Sequence, residues 1–286
     1  MKTPASPHAR GARAFTLIEL LVAAAVSMLL VVTLLTAAQG ITTNYSRAQG
    51  AITRMGDSSM AIDQIVQDLE GMVVPNFAGG EGLRIEPDGD NPHAVWLTML
   101  STATDRDNSF SSNSTNAPDF TGAKRAVSYR IANQNPIDPA KSENKAYALY
   151  RSIASARHTF QNVTSGMTNL QSQYWSSLPG NPSPAPPAPT HEDAFFAENV
   201  VGLQVRFEYL DASGNPVWTA PGDRIRVGRD GTTVNDQPID GSFRRAEVRI
   251  TTLSPEGAKR VSDGVFPLDE AIQRFGKESV RETSRF

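Results

Sequence analysis

Residues 13 to 38 read RAFTLIELLVAAAVSMLLVVTLLTAA. From Phe15 to Ala38 this run holds 24 residues, and Glu19 is its only charge. At about 1.5 Å of rise per residue, a helix of that length crosses a hydrocarbon core of ~30 Å. The segment therefore reads as a membrane-spanning helix. A carboxylate inside lipid costs on the order of 3 kcal/mol or more, so Glu19 marks a functional position that needs a partner.

Outward from this run, the charges set the topology. Residues 1 to 14 carry Lys2, Arg10 and Arg13 with no acid, which leaves a net charge of −6 for everything after Ala14. The positive-inside rule places the basic head in the cytoplasm and the remaining ~250 residues across the membrane. An acidic body without a basic face gives no electrostatic footprint for nucleic acid. The chain has no cysteine, which excludes disulfides, thiolate metal sites and a cysteine nucleophile. The run is longer than the apolar core of an ordinary secretory signal, which also has a cleavage site of small residues after it.

The stretch AFTLIELLVAAAV resembles the start of type IV prepilins and pseudopilins. The resemblance implies that a prepilin peptidase cuts between Ala14 and Phe15 and that the new Phe15 terminus is N-methylated. It also implies that Glu19, fifth in the mature chain, pairs with the terminal ammonium of a neighbouring subunit during assembly. Opposite charges attract strongly in low dielectric and relieve each other's desolvation. The family usually has glycine before the cut; Ala14 is the small substitute here.

After Ala38 the hydrophobicity becomes periodic. Ile41, Tyr45, Ala48, Ile52, Met55, Ser59, Ile62, Val66 and Leu69 fall at alternating steps of four and three, which predicts one stripe on a continuing helix. Gly40, Gly50 and Gly56 weaken it by about 1 kcal/mol each and mark places for bending or local melting. Gly71 and Pro75 end it.

Beyond residue 75 the pattern changes to strands at 94–100, 126–131, 146–153, 200–210 and 245–253, rich in β-branched and aromatic residues. Leu203, Val205 and Phe207 alternate with Gln204, Arg206 and Glu208, as in a sheet with one face on a core. The stretch DASGN, 211 to 215, reads as a hairpin turn, and 268 to 280 reads as a short helix. Residues 101–122, rich in Ser, Thr, Asn and Asp, and 179–190, with six prolines, read as a loop and an extended spacer. The spacer is a connector or a ligand for an aromatic groove.

The expected fold is α+β: a long N-terminal helix, half transmembrane and half amphipathic, packed on a mainly antiparallel β-sheet headgroup, pilin-like. The organisation is a leader (1–14), a membrane half-helix (15–38), an amphipathic half-helix (39–72) and an extracytoplasmic headgroup (73–286).

His8, His93, His158 and His191 lack any recognisable ligand spacing, and no nucleophile elbow, phosphate loop or zinc motif occurs. EPDGDNPH, 86 to 93, brings Glu86, Asp88, Asp90 and Asn91 together, a pattern open to calcium or to a solvated turn. It lacks the closing glutamate of a calcium-binding hand. The expectation is a structural subunit with no catalytic residues, no metal and no cofactor. Its partners are the prepilin peptidase, other pilin or pseudopilin subunits and the inner membrane, not nucleic acid.

A body about twice the size of a typical major pilin points to the larger minor components. These include PilW-like pilins, J-type pseudopilins of type II secretion and Verru_Chthon cassette proteins of type C. A bulky headgroup favours a place at a tip or in initiation. The competing readings are a membrane-tethered enzyme or binding protein that keeps its leader, and a secreted protein cut near residue 39.

Overall fold

The computed structural model describes residues 17–76, 80–102, 124–135, 143, 145–153, 159, 195–239 and 241–284, without the side chains at 40 and 43–57. Ala14, Phe15, His8, His158, His191, residues 103–122 and the 179–190 spacer lie outside the described residues. Contacts group the chain into two compact units, Met1–Ala51 and Ile52–Phe286.

One helix, α1, covers Leu17–Glu70. Gly40, Gly50 and Gly56 are helical within it. The turn at Gly71 follows because space there is short: a Cβ on Gly71 would lie 2.8 Å from both Ser101 Oγ and Thr102 Oγ1. The Thr102 N–H donates to the Gly71 carbonyl and the Val73 N–H to the Leu100 carbonyl, which sews the exit of α1 onto a strand end.

The stripe forecast needs correction. Ile41 is exposed, and Ser59 is only half-buried. The face that packs is Ser58, Ala61, Ile62, Ile65, Asp68 and Leu69, rotated from the stripe so that Ala61 and Ile65 enter the core.

Twelve strands follow: β1 (Glu81–Pro87), β2 (Val95–Ser101), β3 (Arg125–Gln134), β4 (Ala146–Ile153), β5 (Phe195–Glu198), β6 (Val200–Leu210), β7 (Pro216–Trp218), β8 (Ile225–Gly228), β9 (Gly231–Val234), β10 (Gln237–Ile239), β11 (Arg245–Leu253) and β12 (Gly276–Thr283). Two short helices, α2 (Pro255–Ser262) and α3 (Leu268–Phe275), lie between β11 and β12. The larger sheet has the order β10-β9-β8-β1-β2-β3-β4-β5 and the smaller β12-β11-β6-β7. Every strand pair with an assigned register is antiparallel. The architecture is thus an N-terminal apolar helix with a mainly antiparallel β domain.

The first of the chain's passages from the larger sheet to the smaller, from β5 to β6, takes one residue. Asn199 joins β5 to β6 with φ 57°, a left-handed corner that asparagine tolerates better than most side chains. One apolar cluster fills the domain. It joins Ile62, Ile65 and Leu69 of α1 to Leu97, Tyr129 and Leu149 of the larger sheet and to Val205, Phe207 and Val248 of the smaller. Burying each such side chain contributes roughly 1.5–3 kcal/mol.

The five forecast strands correspond to β2, β3, β4, β6 and β11. The hairpin forms as read: Asp211 Oδ1 accepts from the Ser213 and Asn215 N–H groups, and Gly214 takes φ 81°. Those backbone donors, Asn215 foremost, hold the Asp211 carboxyl below its ordinary range. The helix expected over 268–280 stops at Phe275, and Gly276–Thr283 is a strand, because it pairs along β11 from Leu253 back to Ala246.

Candidate functional site

In the first unit the helix from Leu17 to Gln39 is apolar and long enough to be a membrane anchor, a test that a signal sequence also passes. Its large side chains from Leu17 to Leu35 are more than half exposed. Two of its hydroxyls bond back to the helix itself. Thr33 Oγ1 donates to the Leu29 and Leu30 carbonyls, and Thr36 Oγ1 to those of Val32 and Thr33. Glu19 sits in the first turn, where the partial positive charge of a helix start favours an acid. It lines an open groove on that helix with Ile18, Val22, Ala23, Val26 and Ser27.

In the second unit the end of α1 is fixed by a buried ionic network. Asp68, 1% exposed, faces Arg151 of β4 and Tyr129 of β3. Arg151 Nε donates to Asp68 Oδ2 at 3.0 Å, and its Nη2 to Oδ1 and Oδ2 at 3.1 and 3.0 Å. The Tyr129 hydroxyl donates to Asp68 Oδ2 at 2.5 Å and accepts from Arg151 Nε at 2.8 Å. Gln64, one turn earlier on α1, donates to Asp68 Oδ1 at 3.2 Å, and Ser101 Oγ donates to the Asp68 carbonyl at 2.8 Å. Phe196 closes the side with its ring edge-on to Tyr129. Burial works against the Arg151 charge, but Tyr129 and Asp68 outweigh it and raise the guanidinium pKa.

Neither Asp68 nor Arg151 is singled out by sequence alone, because the two partners lie 83 positions apart. The usable signal was phase: Asp68 follows Ala61 and Ile65 at steps of four and three, and Arg151 falls between Leu149 and Ile153 on the inward side of its strand.

Burial first, then the Asp68 charge, pushes the Tyr129 hydroxyl well above its ordinary pKa; burial also raises Tyr147 and Tyr150. In the unfolded chain tyrosines lose their protons near pH 10. Above that the unfolded state binds fewer protons than the folded one, so stability falls with rising pH. Below about pH 10 this contribution is fully present. The denaturant midpoint is expected to hold between pH 8 and about 9.5 and to drop above about pH 10. Tyr129→Phe flattens that drop, and an equal drop in the variant would remove Tyr129 from the account.

The acid-rich stretch 86–93 is committed to structure. Glu86 accepts from Arg84 of its own strand and from Arg224 in the segment leading into β8, at 2.9 and 2.7 Å. Asp88 Oδ1 accepts from the Asp90 N–H and Asn91 Oδ1 from the His93 N–H, which closes the β1–β2 turn. Asn91 Nδ2 also donates to the Val201 carbonyl at 2.8 Å, and the Leu203 N–H donates to the His93 carbonyl. The loop therefore ties the two sheets together, beside the parallel bridge of Ala94 to Leu203. Among the described residues no group of three or more His, Cys, Asp or Glu side chains could hold a metal ion.

Comparison of the chain with protein-family models, with curated proteins and with solved structures returns no match.

Proposed function

We propose that this chain is a pilin-like structural subunit, inserted by α1 and presenting a β-rich domain across the membrane. Within that class the reading is a minor pilin or pseudopilin at the tip of a type IV pilus or secretion pseudopilus, or in its initiation. The observation that carries it is a single carboxylate, Glu19, in the first turn of α1 and alone among the uncharged residues 15 to 38, four residues beyond the proposed cut between Ala14 and Phe15. An anchor that only tethered would gain from losing that charge.

Processing is checked by mass spectrometry of the membrane-extracted protein, where the expected N-terminus is methylated Phe15. Ala14→Leu blocks the cut. Glu19→Gln removes the charge and keeps the shape. It is expected to insert at normal levels, while crosslinking to neighbouring pilin-like subunits falls at least about tenfold, equivalent to about 1.4 kcal/mol of lost pairing. Unchanged crosslinking together with an intact Met1 would return the protein to a plain tethered domain.

A further inference from the structure

We propose that β12 is an openable strap: it releases from α1 and from the edge of β11, and recloses, while the rest of the domain stays folded. The inference is independent of the pilin reading and stands on how differently β12 is held from everything around it.

Among the described residues, no β12 side chain belongs to an apolar cluster. Seven of its eight residues are exposed or half-buried, and only Thr283 is buried. The side chains it turns toward α1 are polar, and so are their partners. Ser279 Oγ lies 3.3 Å from Ser58 Oγ. Arg281 Nε donates to Asp63 Oδ1 at 3.1 Å, with both side chains more than half exposed. Thr283 Oγ1 donates to Glu70 Oε1 at 2.7 Å. The exposed Arg281–Asp63 pair holds weakly. The packing below is also incomplete, with a groove of about 230 Å³ lined by Ser59, Ile62, Ser279, Val280 and Arg281.

The neighbours of β12 do not depend on it. The Ile62, Ile65 and Leu69 face of α1 enters the main apolar cluster, and Asp68 is fixed by Arg151. Helix α3 docks through Ala271, Ile272 and Phe275 into a second cluster with Val201 and Leu253. The strap leaves α3 at Gly276, where a Cβ would collide with the Ile272 carbonyl oxygen, so the change from helix to strand is confined to one glycine. Toward β11, β12 is held by an eight-residue ladder, from Ala246 opposite Thr283 to Leu253 opposite Gly276, with an exposed Arg249–Glu278 ion pair and a long bond from Thr252 Oγ1 to the Lys277 carbonyl beside it. A ladder with so little apolar burial opens at the low end of the stability range. Its opening uncovers the β11 edge and the Asp63 and Glu70 side of α1.

Hydrogen exchange on the full chain in detergent micelles tests this. The hydrogen-bonded amides of β12 are expected to exchange at least about 100-fold faster than those of β6, which pairs with the other side of β11. Because the chain has no cysteine, Ser58→Cys with Ser279→Cys gives one defined disulfide across the strap contact. Oxidation is expected to slow β12 exchange at least about tenfold and to leave β6 unchanged, with reduction restoring the rate. Wild-type β12 and β6 rates within about threefold of each other would overturn the proposal, since the two strands would then open together. So would a β12 rate that the disulfide leaves unchanged.

Discussion

Arg151→Met is expected to lower the unfolding free energy of the β domain by about 3–5 kcal/mol. The substitution keeps much of the side-chain volume and removes the partner of a carboxylate that is 1% exposed. Among the described residues, Asp68 then keeps the Tyr129 hydroxyl and Gln64 as side-chain donors, and its carboxylate is left in a buried surround without its cationic partner. The cost is that of an uncompensated buried charge, not the net worth of the pair. The network itself need not stabilise the domain: Asp68→Leu, Tyr129→Phe and Arg151→Met together remove all three buried polar groups. That triple variant is expected within about 2 kcal/mol of wild type. Urea unfolding of residues 39–286, which are expected to form a soluble monomer without the anchor, measures both. A loss below about 1 kcal/mol for Arg151→Met would mean the pair behaves as a surface contact.

The second large effect is Ile62→Asp. Ile62 is 1% exposed, and it loses its transfer energy at the same time as a carboxylate is placed among Ile65, Leu97 and their neighbours. Removing the aliphatic side chain alone costs about 2–5 kcal/mol, and an unpaired buried charge adds several more. Against a total of about 5–15 kcal/mol for a typical domain, the variant is expected to unfold or to release α1 from the sheets. Met60→Asp is the control on the same helix. Met60 is 65% exposed, so its replacement is expected to stay within about 0.5 kcal/mol of wild type. If a fragment beginning near residue 75 matched the stability of residues 39–286, α1 would not belong to the core, and the Ile62 prediction would fail with it.

These two residues differ in how openly the sequence declared them. Ile62 lies on an apolar stripe, and a period of 3.6 is a local property that any window of the chain displays. Asp68 belongs to the same packed face, but its partner is 83 positions away on β4, and no local window contains both. The acid-rich 86–93 stretch shows the same limit. Its composition was open to calcium or to a solvated turn, yet Arg84 of β1 and Arg224, just before β8, already donate to Glu86, and the Asn91 amide spans to β6.

The sequence by itself determined the parts that depend on length, period and turn chemistry. These were an apolar helix with its lone Glu19, long enough to be a membrane anchor, the helix end at Gly71, the strands that became β2, β3, β4, β6 and β11, and the Asp211–Asn215 turn. The tertiary structure alone decided which helix face packs, that 276–283 is a strand, and that the strands divide between two sheets. It also decided that Asp68, Arg151 and Tyr129 meet. The stretch GKESVRET has no apolar alternation and no strand signal of its own; it is extended because β11 offers it a row of hydrogen-bond partners. A buried charge is likewise set by what surrounds it. Whether a carboxylate is solvated or desolvated depends on atoms that arrive from elsewhere in the chain, and those are fixed only when the sheets close over the helix.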